Sequence, residues 1–185
     1  IEKYRQIHPY INVIMSEDNV GPINNAVRTY KEARGKYTAL CEGDDFWTDP
    51  YKLQKQVDFL ENNSDYIICC HYTKVVDDYN QTLYSEPNLI PLEHTYEDIL
   101  AGKKGETRIC SLMYRNTENM RQLGSQEWYA GCYAGDRFIK LFATVTTCKK
   151  IYVLPEIMSC YRVHSGGIWS MINSKVRKGK MRSDF

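Results

Sequence analysis

The stretch Tyr37-Thr38-Ala39-Leu40-Cys41-Glu42-Gly43-Asp44-Asp45-Phe46-Trp47-Thr48-Asp49-Pro50 decides how this chain is read. A strand-like run ends abruptly in three carboxylates within four residues. Thr48-Asp49-Pro50 then opens a helix, with Asp49 as N-cap and Pro50 in the first turn. In open α/β sheets ligands bind beyond the carboxyl ends of strands, which is where Glu42, Asp44 and Asp45 emerge, and Gly43 permits a tight turn. Carboxylates so crowded repel one another unless a cation or polar partners lie between them. A divalent ion held by one or two of them, with its other positions left for phosphate oxygens, meets that demand. A solvated acidic turn feeding the next helix meets it too.

Outward from this stretch the chain alternates. Residues 11–15 read as a short buried strand, and Pro22 opens a helix carrying Ile23, Ala26, Val27, Tyr30 and Ala33 at helical spacing, with Gly35 as its cap. Downstream, Leu53, Val57 and Leu60 form the inner stripe of the helix after Pro50, and residues 66–72 read as a strand. Residues 77–94 read as a loop, 96–101 as a short helix ended by Gly102, and 108–114 as a strand. Gly135-Asp136 precedes Phe138, Leu141, Phe142 and Val145 at helical spacing, and residues 151–154 and 157–163 close the pattern as two strands. This order predicts an α/β domain with a mostly parallel sheet flanked by helices.

Composition narrows the classes. The 185 residues suit one domain, and 43% hydrophobic with 25% charged residues is ordinary globular usage. A net charge of +1 gives no polyelectrolyte footprint, so nucleic acid is not an expected partner. No apolar run is long enough to span a bilayer. The seven cysteines include no C-x-x-C pair, and adjacent Cys69 and Cys70 would face opposite sides of a strand, so reduced apolar cysteines of a cytoplasmic protein are expected. Residues 174–185 form a basic tail.

Several motifs now stand in order: Asn19-x-Gly21, Ala33-Arg34-Gly35-Lys36-Tyr37, the acidic stretch through Trp47 and Pro50, Lys52-Leu53-x-Lys55-Gln56, Gly135-Asp136, and Tyr161-Arg162-Val163-His164. Together they resemble family 2 glycosyltransferases of GT-A (Rossmann-like) fold, which use nucleotide-activated sugars. Glu42 stands where the family commonly has a first Asp. The family's first strand-loop unit, which holds the nucleoside, has no counterpart here, so an N-terminally incomplete GT-A-like domain over 1–173 is expected, with a donor half near 1–75 and an acceptor half near 95–173.

The resemblance implies an inverting, metal-dependent transferase that moves a sugar from a nucleotide-diphospho-sugar donor to a saccharide or lipid-linked acceptor, as in cell-surface polysaccharide synthesis. Asp44, Asp45 and His164 would hold Mn²⁺ or Mg²⁺. Asn19, Gly21, Arg34, Glu42, Asp44 and Arg162 would bind the donor. Asp136 is the implied general base, with a helix N-cap as its other reading. Arg34 also reads as a helix C-terminal cation, and Asn19-x-Gly21 as an ordinary turn. Trp47 and Trp169 would stack on sugar, although Trp47 also suits a buried aromatic. The tail offers a peripheral contact with the inner face of a membrane. A silent saccharide-binding or assembly module of the same fold and a nucleotidyltransferase remain as alternative classes.

Overall fold

A computed structural model describes residues 2–103, 105–167 and 176. In chain order the helices are α1 (Glu2–Ile7), α2 (Pro22–Glu32), α3 (Lys52–Asn62), α4 (Tyr96–Leu100), α5 (Glu118–Gln122), α6 (Glu127–Ala130) and α7 (Gly135–Thr147). The strands are β1 (Tyr37–Ala39), β2 (Phe46–Trp47), β3 (Tyr66–Val76), β4 (Thr82–Tyr84), β5 (Leu92–His94), β6 (Met113–Arg115) and β7 (Lys150–Arg162). One sheet runs β1-β6-β3-β7-β2, with β4 added to β3 and β5 to β7. The α/β, GT-A-like architecture is as expected, but the sheet is mixed. Only the long central pair β3–β7 is parallel, while β1–β6, β6–β3, β3–β4, β5–β7 and β2–β7 are antiparallel. Only β4 follows its partner β3 through a direct turn, while the other antiparallel neighbours are joined by stretches that contain helices.

β3 carries Ile67, Ile68, Cys69, Cys70, His71 and Tyr72 as a continuous buried run, because both of its faces are covered. Cys70 packs into the main core under α2 and α7 with Ile139, Ala143 and Val153. Cys69 packs into a smaller cluster with Leu60 and Met113 beneath α3. The alternation expected of this pair therefore holds, and all seven cysteines are free. His71 is fully buried; its Nδ1 meets Tyr72 O at 2.8 Å, its Nε2 has no hydrogen-bond partner, and burial pulls its pKa down to about 3.

Four local expectations need correcting. Residues 11–15 form no strand, and Met15 is 77% exposed; an apolar run becomes a strand only where a neighbour completes its ladder, and none of the described strands pairs with it. Residues 109–111 form a 3₁₀ turn before β6, because the Ser111 hydroxyl and amide both return to Arg108 O (2.7 and 3.0 Å) in place of a ladder. The two closing strands are one, β7. Its register against β3 jumps from His71↔Leu154 to Tyr72↔Ile157, so Pro155 sits in a bulge, where its missing N–H costs no ladder bond. The stretch 77–94 contains β4 and β5.

The helix after Pro50 is rotated from its expected phase. It begins at Lys52, with Asp49 Oδ1 accepting from Tyr51 N at 2.7 Å, and it buries Lys52, Gln56 and Leu60 while Leu53 is 42% exposed. Gln56 explains the rotation. Its Nε2 donates to Cys69 O (2.7 Å) and Ser111 O (2.8 Å), and its Oε1 accepts from Lys52 Nζ (2.8 Å). Lys52 Nζ also lies 4.3 Å from the centre of the Trp47 ring, and burial pulls its pKa down to about 8. A polar bridge between β3 and the turn before β6 thus outweighs an apolar stripe. Trp169 and the basic tail lie outside the described residues, apart from Val176. No described helix is long and apolar enough to cross a membrane.

Replacing Gln56 with Ala removes its hydrogen bonds to a buried ammonium and to the Cys69 and Ser111 carbonyls. The expected loss is about 2–4 kcal/mol of unfolding free energy by urea denaturation. A loss below about 0.5 kcal/mol would remove this bridge from the account of α3.

Candidate functional site

β1 delivers the chain to the acidic turn, whose Asp45 N donates back to Glu42 O at 3.2 Å. β2 then pairs antiparallel with β7 at Phe46↔Cys160 and Trp47↔Ser159. Continuing that register outward brings Asp45 and Asp44 alongside the segment from Tyr161 to His164. Asp45, only 8% exposed, accepts the Arg162 backbone N–H on Oδ1 at 2.9 Å, while its Oδ2 is buried without a hydrogen-bond partner. Burial raises the Asp45 pKa, and the Arg162 N–H offsets part of that. Asp44 is half exposed and its Oδ2 lies 3.0 Å from His164 Nε2.

The Arg162 guanidinium serves the protein first. Nε donates to Asp44 O (3.0 Å), Nη1 to Asp77 O (2.8 Å) and Nη2 to Asn80 Oδ1 (2.8 Å), and the group lies 5.4 Å from the Phe46 ring centre. It clamps the acidic turn to the β3–β4 turn, so the fork expected to face a donor faces backbone and Asn80. Trp47 donates its indole N–H to Cys110 O at 3.0 Å, with the Lys52 ammonium against its ring. Part of the ring stays exposed, so it is an anchored aromatic at the rim.

From the first turn of α7 the charge of Asp136 acts on Glu42, so the acidic turn and the start of α7 bound one acidic crevice. The helix N-cap is Ala134, without a side-chain cap, so capping is not what Asp136 does. Gly135 sets how closely α7 approaches α2: a Cβ there would meet Ile23 Cδ1 at 2.5 Å and the Tyr129 hydroxyl at 3.3 Å. Asp136 stands half exposed in the first turn, with Lys140 Nζ 3.4 Å from its Oδ2. Lys140 is nearly buried and also donates to Thr107 O and Oγ1, both at 3.2 Å. The Asp136 charge is felt at Glu42, whose pKa is pushed up to about 7 by loss of hydration and then by Asp45, Asp44 and Asp136. Glu42 keeps surface open to solvent, while nearby protein atoms take away part of its hydration.

Asn19 and Gly21 form the turn that opens α2, two residues before the Ile23 that packs at Gly135. Asn19 Oδ1 accepts from Gly21 N at 3.0 Å, and Gly21 takes φ 77°, a conformation that favours glycine. Arg34 is not brought in. It lies past the other end of α2, about 16 Å along the helix axis, is 88% exposed and pairs with Glu32 at 3.8 Å. The sequence reading missed Lys140, Thr107, Arg108 and Tyr161 as neighbours of the site. Lys140 left a signal, standing four residues after Asp136 on one helix face, and Tyr161 opens the Tyr161-Arg162-Val163-His164 motif.

Among the described residues no group of three or more His, Cys, Asp or Glu side chains is arranged to hold a metal ion by itself. The arrangement offers the orphaned Asp45 Oδ2 and the Asp44–His164 contact. That suits an ion that takes one or two protein ligands and fills the remainder from phosphate.

Glu42 makes a testable contribution. Its folded pKa lies above its ordinary value, so protonation favours the fold, and that stability is lost as pH rises from about 4.5 through about 7. Glu42→Gln should match the wild type at low pH and exceed it by about 1 kcal/mol above neutrality, once solvent screening is allowed for. Thermal melts across that range measure it, and parallel curves at all pH values would contradict it.

Against known proteins, the model of Glycosyl transferase family 2 matches residues 1–124, which includes the acidic turn and stops before Asp136, Arg162 and His164. An uncharacterised protein of Mycobacterium bovis is 30% identical over 184 residues, 96% of this chain and 49% of that protein. An uncharacterised protein of Mycobacterium tuberculosis gives the same figures. An uncharacterised glycosyltransferase of Methanocaldococcus jannaschii is 32% identical over 78 residues, 42% of this chain and 27% of that protein. The chain spans about half the length of the mycobacterial relatives it matches. On the family match and the order of its motifs, this chain belongs to glycosyl transferase family 2.

Proposed function

We propose that this domain transfers a sugar, with inversion, from a nucleotide-diphospho-sugar to a saccharide or lipid-linked saccharide acceptor. One observation carries the reading: β2 pins the acidic turn to β7, which sets Asp45 on the Arg162 N–H and Asp44 beside His164, with the start of α7 near enough for the Asp136 charge to act on Glu42. Separated acidic groups on two elements suit a reaction in which one side manages the leaving group and the other the attacking hydroxyl.

Asp44, Asp45 and His164 would hold Mn²⁺ or Mg²⁺, which supplies positive charge to a departing diphosphate. Glu42 lies beside them and contacts the donor sugar or ribose, while Asn19 and Gly21 border the nucleotide. Asp136 accepts the proton of the acceptor hydroxyl as that oxygen attacks the anomeric carbon, a role that contributes about 10² to 10⁴ in rate. Lys140, held by Thr107, fixes the Asp136 carboxylate and supplies a counter-charge. Trp47 offers an apolar rim for an acceptor ring. A cytoplasmic setting at a membrane's inner face, with the basic tail in contact, accompanies a lipid-linked acceptor in this reading.

Isothermal titration with nucleoside diphosphates, with and without Mn²⁺, tests the proposal. One nucleotide should bind only with the ion. Asp44→Asn should remove that binding, whereas Asp136→Asn should retain it and lower turnover about 10²- to 10⁴-fold. The reverse pattern would exchange the two roles, and metal-independent or absent binding would overturn the reading.

A further inference from the structure

The cations around the acidic crevice differ in how many donors remain free. Lys140 meets three acceptors with its three ammonium hydrogens: Thr107 O, Thr107 Oγ1 and Asp136 Oδ2. Arg162 is divided among Asp44, Asp77 and Asn80, and Lys52 is buried on Gln56 and Trp47. Arg108 stands apart. Its Nη1 donates to Thr73 Oγ1 at 2.8 Å and to Glu106 Oε2 at 2.9 Å, while among the described residues its Nε and Nη2 make no hydrogen bond.

The guanidinium lies 5.6 Å from the centre of the Tyr161 ring, and Tyr161 stands in β7 between Cys160, which pairs with Phe46, and Arg162, whose N–H meets Asp45. Arg108 thus borders the acidic crevice, yet its ion pair is with Glu106 rather than with those carboxylates. The Glu106 carboxylate is mostly buried and also accepts from Thr73 N at 3.4 Å. Glu106 itself has φ 44°, in the left-handed region that non-glycine residues seldom occupy. Such backbone persists where its surroundings over-determine it, and it clusters at ligand clamps. Here it places a carboxylate on one edge of the guanidinium and leaves the other edge open.

We propose, building on the transferase reading, that the open Nε–Nη2 edge of Arg108 receives an oxyanion of the substrate, a phosphate or a carboxylate, with Glu106 as its positioning residue. Two parallel N–H donors on that edge match two oxygens of one anion, which a lysine ammonium does not reproduce. The oxyanion belongs either to the donor diphosphate or to an acidic group on the acceptor.

The test titrates the purified full chain and its Arg108→Gln and Arg108→Lys variants by calorimetry. One arm uses nucleoside diphosphates with Mn²⁺, and the other uses hexyl phosphate and glucuronate. Arg108→Gln should weaken one arm about 10- to 100-fold, with Arg108→Lys in between and still folded by circular dichroism. A loss confined to the nucleotide arm assigns the oxyanion to the donor, and a loss confined to the second arm assigns it to the acceptor. Unchanged affinities in folded variants overturn the proposal. Arg108-dependent binding of hexyl phosphate or glucuronate by a wild type that ignores every nucleotide sustains it while removing the transferase reading. A wild type that binds no probe removes both.

Discussion

The contact between Asp45 and the Arg162 main chain is the constraint on which the crevice depends. A carboxylate this buried needs a donor, and the Arg162 backbone N–H supplies one because β2 locks onto β7. The same pairing sets Asp44 beside His164 and directs the Arg162 side chain across to the β3–β4 turn. Two residues of strand therefore organise groups separated by more than a hundred positions in the chain. The unpaired Oδ2 is what this arrangement leaves open.

On the opposite wall the geometry comes from packing rather than from pairing. α7 approaches α2 so closely at Gly135 that any side chain there would collide with Ile23. Lys140 then ties the first turns of that helix to Thr107, and the neighbouring residues Glu106 and Arg108 are bound to β3 through Thr73. Segment 106–108 is thus a shared support for the base candidate and for the free guanidinium edge. Loops carry chemistry best when a rigid scaffold holds them, and here β3 is that scaffold.

Much of this was legible in the residues. Asp44, Asp45 and Glu42 follow an apolar run directly, and Gly135-Asp136 opens a periodic helix, so their places at element ends could be read locally. Illegible were the relations that need a partner. Residues 11–15 have strand composition but no strand partner among the described residues, and most outer strands run antiparallel to partners far away in the chain, which no local pattern reports. Lys52 and Gln56 bury themselves because the Cys69 and Ser111 carbonyls need donors, which no hydrophobic period reports. Arg162 reads as an anion fork until the Asp77 carbonyl and Asn80 are seen to occupy it, and Arg34 reads as a site residue until the direction of α2 places it at the far end.

His71 has a consequence of its own. It is stored uncharged at the centre of the sheet, with only the Tyr72 carbonyl to satisfy it. A chain that opens at any pH between about 3 and the ordinary imidazole value takes up a proton there, which must be given back before the strands can close again. Acidification therefore works on this domain at the middle of its sheet, as a wedge between β3 and its neighbours, as well as at the paired carboxylates of its margins such as Asp49 and Asp98.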